Sequence, residues 1–197
     1  MSAPPASRLL LASTSPQRRA ILEQLGLPFD VVAPRYEERE EPGLSAVALV
    51  RRHAEGKARS VAADAGDRPV LGVDTAVVLD GLVYGKPTTA AEAERMLERL
   101  AGRTHEVVSG LCVITPGWTA TYDERTRVTF RPLTPRDLAH YVASGEWEGR
   151  AGGYAVQALG ANLVERIEGD YLNVVGLPAA ALVRLLGQRF AGTYGFG

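Results

Sequence analysis

Val70-Leu71-Gly72-Val73-Asp74-Thr75-Ala76-Val77-Val78-Leu79, followed directly by Asp80-Gly81 and Leu82-Val83-Tyr84, decides how this 197-residue chain folds. A β-rich apolar run of that length belongs to a strand covered on both faces, which makes it the expected centre of a sheet. Asp-Gly is a favoured pair for a tight hairpin turn, so Leu82 to Tyr84 is expected to return antiparallel beside it. The sheet is then mixed rather than all-parallel. One residue of the run does not suit a purely structural strand. An aspartate among valines carries a heavy desolvation cost unless it meets a cation, a metal or a cleft mouth. The competing reading of Asp74 is a strand-end carboxylate bonded to backbone amides.

Outward from this run, strands and helices alternate. Toward the N-terminus, Leu9-Leu10-Leu11-Ala12 reads as a strand, Phe29 to Ala33 as a second, and Ser45 to about Ala65 as a helix with Lys57 near the edge of its apolar stripe. Toward the C-terminus the expectations are a helix over Ala90 to Leu100, long strands near His105 to Ile114 and Thr119 to Phe130, and a helix opened by Thr134-Pro135. An ordered glycine-rich loop at Gly149 to Tyr154, a strand at Asn162 to Ile167 and a final helix after Gly176-Leu177-Pro178 complete the pattern. The class is α/β, with a mixed, twisted central sheet and flanking helices. Residues 8–189 form the expected single domain, with flexible ends at 1–7 and 190–197.

Composition narrows the function. Twenty-two Lys and Arg against 23 Asp and Glu give a formal net charge of -1, which argues against a broad footprint for long nucleic acid or an anionic membrane. The single Cys112 excludes an intrachain disulfide and a thiolate metal site, and its apolar setting suggests a buried inert thiol. No apolar run reaches the roughly 18 residues of a membrane helix, and Met1-Ser2-Ala3-Pro4-Pro5 has no signal-peptide character, so a cytoplasmic location is expected.

Several short constellations suit a polyanion. Ser15 is placed to cap a helix with Pro16 at its first position, leaving backbone donors and the positive end of the helix dipole for a phosphate. Arg18 and Arg19 follow, but adjacent helical residues point about 100° apart, so only one is expected to face a ligand. The competing reading is a capped surface helix with solvated arginines. Glu37, Glu38, Glu40 and Glu41 offer a second carboxylate for a hard cation, or simply a solvated acidic loop. Lys86, fixed between Gly85 and Pro87, suits phosphate neutralisation or an ordinary surface turn, and Lys57 reads as one exposed helical lysine among many. His105, at a strand start, is read as structural before it is read as a ligand or acid. No Walker A loop, Rossmann glycine motif or nucleophilic triad is present.

Taken together, these segments resemble the Maf family of nucleoside triphosphate pyrophosphatases over roughly Leu9 to Leu186. The residues that carry the resemblance are Leu11-Ala12-Ser13-x-Ser15-Pro16 followed by arginine, Glu38, Lys57-Ala58, Gly72-x-Asp74-Thr75, Gly85-Lys86-Pro87 and Gly102-Arg103-Thr104-His105-x-Val107. Ser144-Gly145-Glu146, Ala151-Gly152-x-Tyr154-x-x-Gln157 and Ile167-Glu168-Gly169-Asp170-Tyr171-x-Asn173-Val174-Val175-Gly176-Leu177-Pro178 continue it. The resemblance implies two lobes around a cleft, as in inosine triphosphatase-like folds. It also implies hydrolysis of the α-β phosphoanhydride of a nucleoside triphosphate to monophosphate and pyrophosphate, with a divalent cation, Mg²⁺ or Mn²⁺.

By matching positions, Asp74 is the base that activates water, and Asp74 and Glu38 are the metal-associated carboxylates. Lys57 and Lys86 join them in the catalytic set. Ser13, Ser15, Gln17 and Arg18 are substrate-binding, and Thr75 and Gln157 match positions linked in one branch to recognition of dTTP and UTP. A house-cleaning role on those or modified nucleotides follows, as does a homodimer. Two departures bear on the substrate: the dTTP/UTP branch has arginine where this chain has Gln17, and Arg150 stands where lysine is frequent. A nucleotide-binding regulator that does not cleave its ligand is the alternative.

Overall fold

A computed structural model describes residues 8–39, 41 and 43–196. Glu40, one of the acidic-loop candidates, lies outside these residues, as does the expected flexible end at 1–7. The strands are β1 (Leu9–Ala12), β2 (Phe29–Val32), β3 (Val70–Leu79), β4 (Leu82–Tyr84), β5 (Thr104–Thr115), β6 (Trp118–Phe130) and β7 (Val164–Glu168). The helices are α1 (Pro16–Gln24), α2 (Ala46–Ala62), α3 (Ala90–Leu100), α4 (Pro135–Ala143), α5 (Tyr171–Val175) and α6 (Ala179–Arg189). Hydrogen bonding orders the strands β2-β1-β3-β5-β6-β7, with β4 paired to β3, so the fold is α/β with a central mixed sheet flanked by helices.

The chain divides into two units. Unit 1 comprises residues up to Asp74, Ser109–Glu124 and Gly176 onward; unit 2 comprises Thr75–Val108 and Arg125–Val175. In unit 1, β1 lies parallel to β2, with Leu9 opposite Phe29, and parallel to β3, with Leu10 opposite Val70. One cluster of its core gathers Leu10, Ala12, Ala54, Ala58, Val61, Val70 and Cys112. The small residues have a reason: α2 lies directly on the strands. A β-carbon at Gly72 of β3 would collide with the Ala54 carbonyl, and one at Gly110 of β5 with the Val50 carbonyl. Past α6, Phe190 meets Trp118 and Tyr194 edge to face, and Tyr194 is buried.

In unit 2, β3 turns through Asp80 and Gly81, both at positive φ, and β4 returns antiparallel with Val77 opposite Tyr84. That is the backbone an Asp-Gly hairpin turn demands. The core here is more aromatic, combining Val77, Leu97, Leu100, Val128, Phe130, Tyr141, Tyr154 and Leu163. Thr134 and Asp137 close a reciprocal capping box on α4, whose first helical residue is Pro135. The glycine-rich loop is ordered, with a 3-10 turn at Ala151–Gly153. The Gly152 N–H donates to the Gly85 carbonyl at 2.9 Å, and a β-carbon at Gly152 would press on the Val77 methyl groups.

Candidate active site

Asp74 finds the cation it needs. Lys57 Nζ donates to Asp74 Oδ1 at 2.7 Å and pairs with Glu38 Oε1 at the same distance, with the Val73 carbonyl at 3.4 Å. Lys57 is 5% exposed and Asp74 8%, so the exposed-lysine reading of position 57 gives way to a buried ammonium between two carboxylates. The helix pattern placed Lys57 near the stripe edge; its burial comes from how closely α2 sits on the sheet at Gly72 and from the irregular segment carrying Glu38. A buried ion pair of this kind is held by compensation: removing one partner strands the other's charge away from water.

The acidic segment is sorted by its partners. Among the described residues, Glu38 reaches Lys57, while Glu37 pairs with Arg39 and Glu41 with Arg52. The described residues of the segment form no strand ladder and are tied instead to α2. The Arg35 N–H donates to Ser60 Oγ at 3.1 Å, and Tyr36 Oη shares a 3.0 Å hydrogen bond with His53 Nδ1. The Tyr36 ring occupies the notch at Gly56, where a β-carbon would overlap it. Burial raises the Tyr36 pKa. Tyr36, His53 and Gly56 escaped the sequence reading, although a glycine inside a helical pattern was a signal for a close approach.

The strand-to-helix turn forms as its residues dictate. Ser15 caps α1, its Oγ accepting from the Arg18 N–H, and Pro16 occupies the first turn. The Ser15 N–H donates to the buried Ser13 Oγ at 3.2 Å, and Ser15 Oγ donates to Gln17 Oε1 at 3.1 Å. The two arginines part as the helix geometry requires. Arg18 is half-buried, Nη1 donating to Ser13 Oγ at 3.2 Å and Nε to the Gly176 carbonyl at 3.0 Å. Desolvation lowers the Arg18 pKa, opposed by the charges of Asp74 and Glu38. Arg19 is exposed and pairs with Glu23 one turn on. Unit 1 thus brings together Ser13, Ser15, Gln17 and Arg18 in one turn, and Glu38, Lys57 and Asp74 in one charged cluster.

Thr75, Lys86 and Gln157 belong to unit 2. Thr75 is half-buried in β3, and Lys86 and Gln157 are exposed. Lys86 follows the glycine whose carbonyl is bound by the Gly152 amide, so its backbone path is fixed. Gln157 precedes Ala158, which has φ 51°, and the loop behind it is held by Glu146, whose carboxylate accepts the Leu159 and Gly160 N–H groups at 2.9 and 3.0 Å. His105 is structural, as read: it is 1% exposed, bonds Tyr154 Oη through Nε2 at 2.7 Å and meets Phe130 edge to face. Burial pushes its pKa down to about 4. Cys112 is buried, and desolvation raises its thiol to about 11.

The family model for Maf-like proteins matches residues 8–189. The chain belongs to the Maf family. Among Maf relatives, this chain is 50% identical over 185 residues to the dTTP/UTP pyrophosphatase of Nitratidesulfovibrio vulgaris, covering 93% of this chain and 88% of that protein. It is 49% identical over 182 residues to the dTTP/UTP pyrophosphatase of Moorella thermoacetica, covering 91% and 94%. It is 44% identical over 198 residues to that of Deinococcus radiodurans, covering the whole of both chains. Among solved structures, the Staphylococcus aureus Ham1 protein aligns with TM-score 0.41 and 16% identity over 62% of this Maf-like chain and 71% of that one. Among the described residues, no helix is long and apolar enough to cross a membrane.

Proposed function

We propose that the protein is a cytoplasmic, homodimeric nucleoside triphosphate pyrophosphatase that hydrolyses dTTP, UTP or related modified nucleotides to the monophosphate and pyrophosphate, in a house-cleaning role. One observation carries the reading: a buried lysine shared by Asp74 and Glu38, in a chain closely related over its length to proteins named for that activity. Asp74 accepts a proton from water as the water oxygen bonds to the α-phosphorus. The bond from that phosphorus to the α-β bridging oxygen breaks, and pyrophosphate leaves. Lys57 holds the Asp74 carboxylate and offsets negative charge near the reacting centre. The Ser13–Ser15 turn, with Gln17, Arg18 and Lys86, binds phosphates. Thr75 and Gln157 contact the base, where an amide matches the paired donor and acceptor edge of a pyrimidine.

A divalent cation, Mg²⁺ or Mn²⁺, belongs to the proposal. Glu38 and Asp74 are hard oxygen donors, and no group of three or more potential ligands from His, Cys, Asp and Glu gathers among the described residues. Two carboxylates suit a small cation that keeps waters and substrate phosphates as its other ligands. When bound, the cation supplies charge neutralisation to the polyphosphate and the leaving pyrophosphate.

The test is a panel of canonical and modified triphosphates assayed with Mg²⁺ and with Mn²⁺, with chromatography of the products. Monophosphate plus pyrophosphate is expected. Diphosphate plus phosphate, or tight binding with no turnover by folded protein, overturns the proposal, the latter in favour of a nucleotide-binding regulator.

A further inference from the structure

We infer that Tyr36, seated on Gly56 and hydrogen-bonded to His53, is the positioning residue that holds Glu38 against Lys57. The inference rests on the reading of Glu38 and Lys57 as catalytic groups. Glu38 sits on a segment without secondary structure, and its own side chain is 46% exposed. An ion pair to so exposed a carboxylate is weak by itself and does not fix a geometry. Something else must bring the backbone of this segment to the ammonium. Glu37 does not, because it pairs with Arg39 and both are exposed. Tyr36 does: its ring lies where Gly56 has no side chain, its hydroxyl meets the buried His53 at 3.0 Å, and the two rings make an edge contact at 5.7 Å.

The three α2 positions are arranged for this task. Gly56 directly precedes Lys57, and His53 lies one turn before Gly56, so the ring docks beside the lysine it serves. Two residues of chain then connect Tyr36 to Glu38, a reach of at most about 7 Å, which ties the carboxylate to the docked ring. The backbone of Arg35 on Ser60 fixes the other side of the segment. A glycine in the middle of a 17-residue helix weakens the helix, and the ring it admits is the compensating gain.

The experiment uses the full chain with Tyr36→Phe, Tyr36→Ala, Gly56→Ala and Glu38→Gln. It measures kcat and KM for dTTP, the Mn²⁺ activation midpoint, Mn²⁺ binding by electron paramagnetic resonance, and the thermal midpoint. Gly56→Ala gains helix propensity but expels the Tyr36 ring, so its thermal midpoint should change little. Its kcat should fall about tenfold and its Mn²⁺ midpoint rise about tenfold, with KM little changed, because a displaced catalytic group acts on the chemical step. Tyr36→Ala should behave alike. Tyr36→Phe, which keeps the ring but loses the hydroxyl, should show about threefold effects in the same direction. If Glu38→Gln is impaired while Tyr36→Ala and Gly56→Ala match the parent in kcat and Mn²⁺ binding, Tyr36 does not position the carboxylate. If Glu38→Gln is itself unimpaired, the catalytic reading of Glu38 fails and the inference falls with it.

Discussion

The two units bury polar groups in opposite ways. Unit 1 buries full charges, with the Lys57 ammonium between Asp74 and Glu38. Unit 2 buries neutral groups: His105 bonds Tyr154, and the fully buried Asn173 donates through Nδ2 to the Val107 carbonyl at 3.1 Å and Thr126 Oγ1 at 3.0 Å. A neutral pair costs little to desolvate once hydrogen-bonded, and it serves to fix a core. A buried ion pair such as Lys57 with Asp74 contributes little net stability, because desolvation offsets most of its attraction. Its presence in unit 1 fits the chemistry proposed for a charged ligand, whereas the neutral bonds of His105 and Asn173 serve packing.

That contrast can be broken at four places. The largest effect is expected at Asp74: Asp74→Asn should keep the fold by circular dichroism and lower kcat by about 10² to 10⁴, the range of a general base. A kcat near the parent's would move Asp74 into the structural group. Next is Lys57→Met, which strands Asp74 and should cost about 3–5 kcal/mol in urea unfolding. Adding Asp74→Asn should restore part of that loss, and a purely additive double variant would show the pair is not coupled.

The third place is His105. Its folded pKa, about 4, lies below the unfolded value of 6.5, so between those limits the unfolded chain binds the proton and the folded chain does not. Stability is complete above pH 6.5 and falls as pH drops toward 4, by about 3 kcal/mol across the window. Urea midpoints at pH 7 and pH 5 should show this slope, and His105→Gln should flatten it. The smallest effect sharpens the reading of the paired arginines. Arg19→Ala should change stability by about 0.3–0.5 kcal/mol, as for an exposed helical pair, and leave KM alone. Arg18→Ala should raise KM; equal KM values in the two variants would remove Arg18 from substrate binding.

Much of this organisation is legible in the amino acids themselves. The apolar run of β3, the Asp80-Gly81 turn, the Ser15-Pro16 helix start and the limits of α3 are local signals, carried by side-chain period or by backbone demands of single residues. What escaped is non-local or too short. Helix α5 has five residues, less than two turns, and begins because the Asp170 carboxylate accepts the Leu172 and Asn173 N–H groups rather than because of any period. The burial of Lys57 depends on Gly72, 15 positions away, and on a segment 19 positions before it. The choice of Glu38 over its acidic neighbours depends on which of them Tyr36 brings inward. No pattern along α2 alone contains that information.

Gly72 and Gly110 act as shims of zero thickness under α2. The distance from helix axis to sheet sets the span a side chain must bridge to reach Asp74, and four methylenes suffice only because nothing is interposed. Widening that gap by one methyl group at either glycine would leave every reactive atom present and the ammonium out of register with the acid it serves.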